Sequence, residues 1–228
     1  MNLDEFEKNV GTTFKNKKLL QQAFIHRSYI NENREKGLEH NERLEFLGDA
    51  VLELVVTDFL FNKYPDRNEG DLTSFRSALV NTNTLSSVAD KLGANNFLML
   101  SKGESQDTGR ARSFILANTF ESIVGAIYLD QGYEEAKKFI QKNIFSLIDE
   151  IVEFNLWKDA KSRLQEVVQE KLSVTPNYKV LAEEGPDHDR VFSVGVYFGE
   201  NLGGEGKGNS KQEAEQEAAL NALENKGW

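Results

Sequence analysis

The spacing of apolar residues changes once along this chain, and that change constrains the fold more than any other feature. From Leu19 to Phe154 apolar residues recur at three and four, as in Leu44, Leu47, Val51, Leu54 and Val55 and again in Phe114, Ile115, Phe120, Ile123, Val124 and Ile127. Such spacing gives each helix one apolar face, so this stretch reads as all-helical. Breaks are expected at Tyr64-Pro65, Leu92-Gly93, the polar stretch 101–110 and Gln131-Gly132. Beyond Trp157 one more helix-period segment, 160–172, stops ahead of Pro176. Phe192, Val194, Val196 and Phe198 then alternate with their neighbours, which is the period of a strand. Residues 178–184 read as a preceding strand and 201–207 as a glycine-heavy third. Ser210 with Glu213 three residues on is the capping box of a last helix, whose small face is Ala214, Ala218, Ala219, Ala222 and Leu223. The expected architecture is an all-α domain over 1–155 followed by a small α-β-β-β-α domain over 156–228.

Composition narrows the chemistry. With no cysteine in 228 residues, a disulfide framework, a thiolate zinc site, an iron-sulfur cluster and a cysteine nucleophile are all excluded. The start lacks the layout of a signal peptide, and the most apolar stretch, 51–61, is interrupted by Glu53 and Asp58; a soluble cytoplasmic protein, away from membranes, is expected. The net charge is −10, with 18 basic against 24 acidic residues in 1–155 and 9 against 13 in 156–228. Neither part has the basic footprint usual in nucleic-acid binders, which counts against such a partner until the acids are given another purpose.

One segment supplies that purpose. In HNERLEFLGDAVLELVV, residues 40–56, Glu42, Glu45 and Asp49 stand at spacings of three and four and project from one helical face. A solvated acidic stripe is the plain reading. The frame of Leu44, Phe46, Leu47, Val51 and Leu52 argues instead for nearly buried carboxylates, with only Arg43 close by in sequence, and such groups need a positive charge among them. Oxygen ligands from two or three elements suit Mg2+, and the scattered histidines supply no zinc site, so His26 and His40 read as structural. A second contribution comes from Asn118 and Glu121, again three apart, and a third from Glu69.

These motifs carry a resemblance. NERLEFLGDAVLELVVTDFLF, EGDLTSFR, the SKGE loop, LANTFESIVGAIYLDQGY and the terminal helix-strand-strand-strand-helix module together resemble bacterial ribonuclease III, in family order over almost the whole chain. The resemblance implies an all-α endonuclease domain that homodimerises, followed by a small α+β double-stranded RNA-binding domain, and Mg2+-dependent cleavage of both strands with 5′-phosphate and 3′-hydroxyl ends. Mn2+ is a possible substitute. RNA processing and maturation is the implied role. By matching position, Glu45, Asp49, Asn118 and Glu121 would hold metal, with Asp49 and Glu121 the essential catalytic carboxylates, and Glu42 and Glu69 would line the acidic cleft. Phe46 resembles a residue that plugs a socket in the partner subunit; ordinary core packing is the alternative.

The family has Asp where this chain has Asn118, which keeps an oxygen but loses a charge. An active enzyme with looser Mg2+ binding is expected, and a non-cleaving double-stranded RNA binder is the alternative. In the terminal domain, Lys207, Asn209, Ser210 and Lys211 bring two lysines and free backbone N–H groups to a helix start, where an RNA phosphate could dock. Gln212 stands where the family usually has a further lysine. Gln165 and Glu166 match positions that meet the RNA minor groove, and His188 matches a loop reaching the adjacent one.

Overall fold

A computed structural model describes residues 2–33, 37–153, 157, 159–186 and 190–228. The chain divides into two compact units, Met1–Trp157 and Lys158–Trp228. The first contains helices α1 (Leu3–Val10), α2 (Lys17–Ala23), α3 (Arg27–Glu32), α4 (Glu42–Lys63), α5 (Glu69–Val80), α6 (Thr82–Lys91), α7 (Lys102–Gln106), α8 (Arg110–Gln131), α9 (Tyr133–Ile140) and α10 (Leu147–Glu153), with a 3-10 turn at Ala94–Phe97 and a π-helical turn at Gln141–Phe145. The second is α11 (Ala160–Leu172), β1 (Pro176–Glu184), β2 (Val191–Phe198), β3 (Asn201–Gly208) and α12 (Lys211–Lys226), its three strands forming one antiparallel sheet in the order β1-β2-β3. The architecture is thus a helical domain followed by an α-β-β-β-α domain.

Helix ends fall where the chain offers stops and caps. The side chains of Asn16, Asn68, Asn81 and Ser101 each accept a backbone N–H at the start of α2, α5, α6 and α7. Gly93 follows α6 with φ +78°, a conformation that favours glycine. The 101–110 stretch, expected as a break, holds the one-turn helix α7. Two further helices, α1 and α2, precede or straddle the start of the regular apolar pattern.

Helices α4 and α8, each 22 residues long, form the spine of the first unit. Val51, Leu52, Val55 and Val56 from α4 and Phe120, Ile123, Val124 and Ile127 from α8 meet in its core. Of the positions whose spacing predicts the two helices, Val51, Val55, Phe120, Ile123, Val124 and Ile127 lie in this core, whereas Leu54 and Phe114 are exposed. In the second unit the alanine face of α12 lies on the sheet against Val194, Val196 and Phe198. Contact is close enough that a Cβ at Gly206 would come within 2.2 Å of the Ala218 nitrogen, and one at Gly204 within 2.6 Å of the Ala222 nitrogen. Small residues on the helix and glycine on β3 are therefore one packing solution. Among the described residues no helix is long and apolar enough to cross a membrane.

Candidate active site

The acidic positions of α4 and α8 meet because two glycines let the helices touch backbone to backbone. A Cβ on Gly48 would lie 1.8 Å from the carbonyl oxygen of Glu121, and one on Gly125 would lie 2.2 Å from the carbonyl oxygen of Leu44. Gly48 adjoins Asp49, and Gly125 follows Glu121 by one helical turn, so the contact that demands glycine also sets the acids beside each other. The start of α4 is pinned as well. Buried Asn41 donates its side-chain amide to the carbonyl of Ala23 at 3.1 Å and its backbone N–H to that of Ile25 at 2.9 Å, and its own carbonyl accepts from the Ser122 hydroxyl at 3.4 Å.

Within this frame Glu121 is the half-buried carboxylate at the centre. Burial, then the charges of Asp49, Glu45 and Glu53, push its pKa from 4.5 up to about 8. Burial and neighbouring Glu42 raise Glu45, opposed by the side chain of Asn118. Burial raises Asp49 too, with Glu53 adding to it. Three of the expected residues, Glu45, Asp49 and Glu121, thus share one electrostatic field, and Asn118 acts on Glu45. Glu53, one turn beyond Asp49 on α4, belongs to the same field, although sequence reading left it out. Its helical spacing of four from Asp49 was the available signal.

Two expectations need correction. The acids of α4 are not uniformly near-buried: Glu42 and Asp49 are exposed, and Glu45 is intermediate. They are not without cations either. Arg27 lies 3.4 Å from the Glu42 carboxylate, and Arg76 lies 3.9 Å from that of Glu53. These partners arrive from elsewhere in the chain, so proximity in sequence to Arg43 was no guide. His26 caps α3, its Nδ1 2.8 Å from the Ser28 hydroxyl.

No basic group contributes to the shift of Glu121. A half-buried carboxylate in the field of three others, with Asn118 acting on one of them, offers oxygen donors of the kind that suit a hard divalent cation. Among the described residues no three His, Cys, Asp or Glu side chains stand close enough together to hold a metal ion.

A pH dependence follows. Between about 4.5 and about 8 the folded, metal-free chain retains a proton at Glu121 that the unfolded chain has lost, so its stability is expected to fall as pH rises through that interval. Divalent metal, competing with that proton, should bind more tightly over the same interval. Thermal melts in chelator check this, and Glu121→Gln should flatten the slope; a melting temperature that rises across the interval, or a slope the variant leaves unaltered, contradicts it.

Glu69 is not among the groups that shift Glu121. It opens α5, exposed, and lines a cavity of about 430 Å³ with Leu60, Phe61, Leu72, Arg67 and Arg76. Phe46 is 82% exposed, which removes core packing within the chain as its purpose.

In the terminal unit Gln165 and Glu166 are exposed on α11, and Lys207, Asn209, Ser210 and Lys211 are exposed around the start of α12. Two of the backbone N–H groups expected to be free there, those of Lys207 and Asn209, are engaged. That of Lys207 donates to the Glu217 carboxylate at 2.5 Å, that of Asn209 to Glu213 at 2.9 Å, and that of Glu213 to the Ser210 hydroxyl at 3.1 Å. Acids one and two turns into α12 reach back to them, a consequence of helical spacing that a linear reading of residues 206–211 misses. His188 lies outside the described residues.

Comparison with known proteins covers both units. A family model described as Ribonuclease-III-like matches residues 16–148, and one described as double-stranded RNA binding motif matches residues 160–226. The chain is 48% identical over 221 residues to Ribonuclease 3 of Bdellovibrio bacteriovorus, spanning 96% of this chain and 94% of that one. It is 47% identical over 219 residues to Ribonuclease 3 of Enterococcus faecalis, spanning 96% and 95%. Among solved structures, the nuclease domain of ribonuclease III from Campylobacter jejuni, described as having a flexible region involved in dimer formation, aligns with a TM-score of 0.56 at 40% identity, covering 62% of this chain and 98% of that one.

Proposed function

The chain belongs to the ribonuclease III family, and from that premise we propose that this endoribonuclease hydrolyses double-stranded RNA with Mg2+ held by Glu45, Asp49, Asn118 and Glu121. One observation supports the reading: the glycine-permitted crossing of α4 and α8 brings Glu45 and Asp49 into the field of a half-buried Glu121 carboxyl pushed up to about 8. When bound, Mg2+ supplies the positive charge that activates water and offsets charge on the leaving oxygen, with 5′-phosphate and 3′-hydroxyl ends as products. Mn2+, equally content with oxygen ligands, serves as a substitute. Glu121 and Asp49 act as the essential carboxylates, Glu45 completes the donor set, and exposed Glu42 extends the acidic edge. RNA maturation is the cellular role this activity fits.

The Asn118 side chain acts on Glu45, and its carbonyl oxygen is the atom that would face a metal. One negative charge fewer than an aspartate weakens the pull on a cation without emptying the site. Cleavage titrated with Mg2+ therefore saturates at several-fold lower concentration in Asn118→Asp than in the natural chain. Identical half-saturation would remove the weakened-site reading, and a natural chain inactive at every Mg2+ concentration would leave the non-cleaving RNA binder in its place.

The chain acts as a homodimer on this account. Along α4, Phe46, Leu54 and Phe61 are 82%, 59% and 69% exposed, an apolar stripe that calls for cover. Phe46 is the plug, and the cavity beside Glu69 is of a size to take a phenyl ring from a second copy. Sedimentation should read twice the chain mass for the natural protein and the single chain mass for Phe46→Glu; a natural protein that sediments as one chain contradicts the dimer.

A further inference from the structure

Glu183, on β1 one residue before its end, bridges two cations that come from different elements. Its Oε1 lies 3.2 Å from Nζ of Lys211 in the first turn of α12, and its Oε2 accepts from Nη1 of Arg190, directly ahead of β2, at 3.3 Å. The Lys211 ammonium also stands 5.5 Å from the centre of the Phe192 ring. The Lys211 side chain is 57% exposed and the two others slightly under 40%, so the pairs lie in water, where such contacts add little stability. Ordering two long cationic side chains for so small a return makes the bridge a poor structural staple. Its geometry suits another purpose. Two anionic oxygens on one centre, each held by a separate cation, is the arrangement that a phosphodiester presents to a Lys and an Arg.

We propose that Arg190 and Lys211 form a two-cation clamp for one RNA phosphate, and that Glu183 is its internal placeholder. The proposal rests on the double-stranded RNA reading of the terminal domain. Glu183 keeps the two cations converged while no RNA is bound, and it must leave them when a phosphate arrives. RNA then exchanges one anion for another at this point, and affinity and salt dependence are both lower than two free cations would give. Carboxylates likewise engage the neighbouring backbone donors, with Glu217 on Lys207 and Glu213 on Asn209. Arg190 thereby joins Lys211 as a phosphate contact that its position in the sequence did not single out.

Binding of the full chain to a short perfect RNA duplex in chelator, measured across a salt series, tests this. Glu183→Gln should lower Kd by about three- to tenfold and steepen the slope of log affinity against log salt by about one. Arg190→Gln should raise Kd and make that slope shallower by about one. Glu200→Gln removes the same charge from the exposed turn between β2 and β3 and should change neither. Binding in Glu183→Gln equal to or weaker than that of the natural chain, or equal tightening in Glu200→Gln, overturns the clamp alone. A natural chain that binds no duplex at low salt overturns the double-stranded RNA reading, and the clamp with it.

Discussion

Glu121→Gln is expected to bind double-stranded RNA as the natural chain does and to leave it uncut. Gln matches Glu in size, so the crossing of α4 and α8 is undisturbed; only the charge is lost. That charge sits in the least solvated part of the cluster, where burial and the fields of Asp49, Glu45 and Glu53 push its pKa up to about 8. A charge held where water screens it poorly contributes most to attracting a cation. Its removal should lower the cleavage rate by about a thousandfold, the scale set by deleting one preorganised electrostatic group in other sites. The same substitution should raise the melting temperature of the metal-free protein above pH 7, because a carboxylate whose ionisation opposes folding has been taken away. Activity and stability moving in opposite directions separates a lost metal site from a damaged fold. Glu42→Gln is the comparison: exposed and already paired with Arg27, it should cost only about tenfold. Cleavage by Glu121→Gln within tenfold of the natural rate would contradict the assignment.

Gly48→Ala should destabilise the first unit, against the direction that helix propensity gives. In the interior of an unconstrained helix the change is worth about 1 kcal/mol in favour of alanine. Here the new methyl would stand 1.8 Å from the carbonyl oxygen of Glu121 and 2.8 Å from the nitrogen of Gly125, both backbone atoms with no rotamer to change. The helices must move apart, which loosens the packing of Leu52 and Val55 against α8 and separates Asp49 from Glu121. Overpacking of this kind costs about 3 kcal/mol, which in a domain of this size lowers Tm by roughly 10 °C. Cleavage should fall with it, even at temperatures where the variant stays folded. Gly103→Ala is the control, since nothing lies within 4 Å of its added Cβ. A Gly48→Ala protein as stable as the natural one would show that the crossing tolerates a side chain and does not set the geometry of the acids.

What could be read in advance was periodic and local. The 3.6-residue pattern of α4 and α8, the alternation of β2, the capping box ahead of α12 and the alanine face of that helix each need only near neighbours to take effect. The acids Glu45, Asp49 and Glu121 could be singled out by their helical spacing within an apolar frame, although only Glu121 proves to be set deep in that frame. What depended on partners distant in the chain could not be read. Gly48 and Gly125 pass as tolerated glycines in a helix until the two helices are laid together. The difference between half-buried Glu121 and exposed Asp49 arises from that crossing. Arg27 with Glu42, Arg76 with Glu53 and Arg190 with Glu183 are pairings that folding creates. Helix α1 escaped notice because it is eight residues long and gains its apolar face, Phe6 and Val10, only from the core it joins.

Incubation of the natural chain with a long, perfectly paired RNA in Mg2+, followed by analysis of the fragment ends, tests the central claim most directly. The account predicts short duplex fragments with 5′-phosphates and 3′-hydroxyls, no cutting in chelator, and an intact single strand of the same sequence. A duplex left whole at every Mg2+ concentration, or cut equally well in chelator, would contradict it.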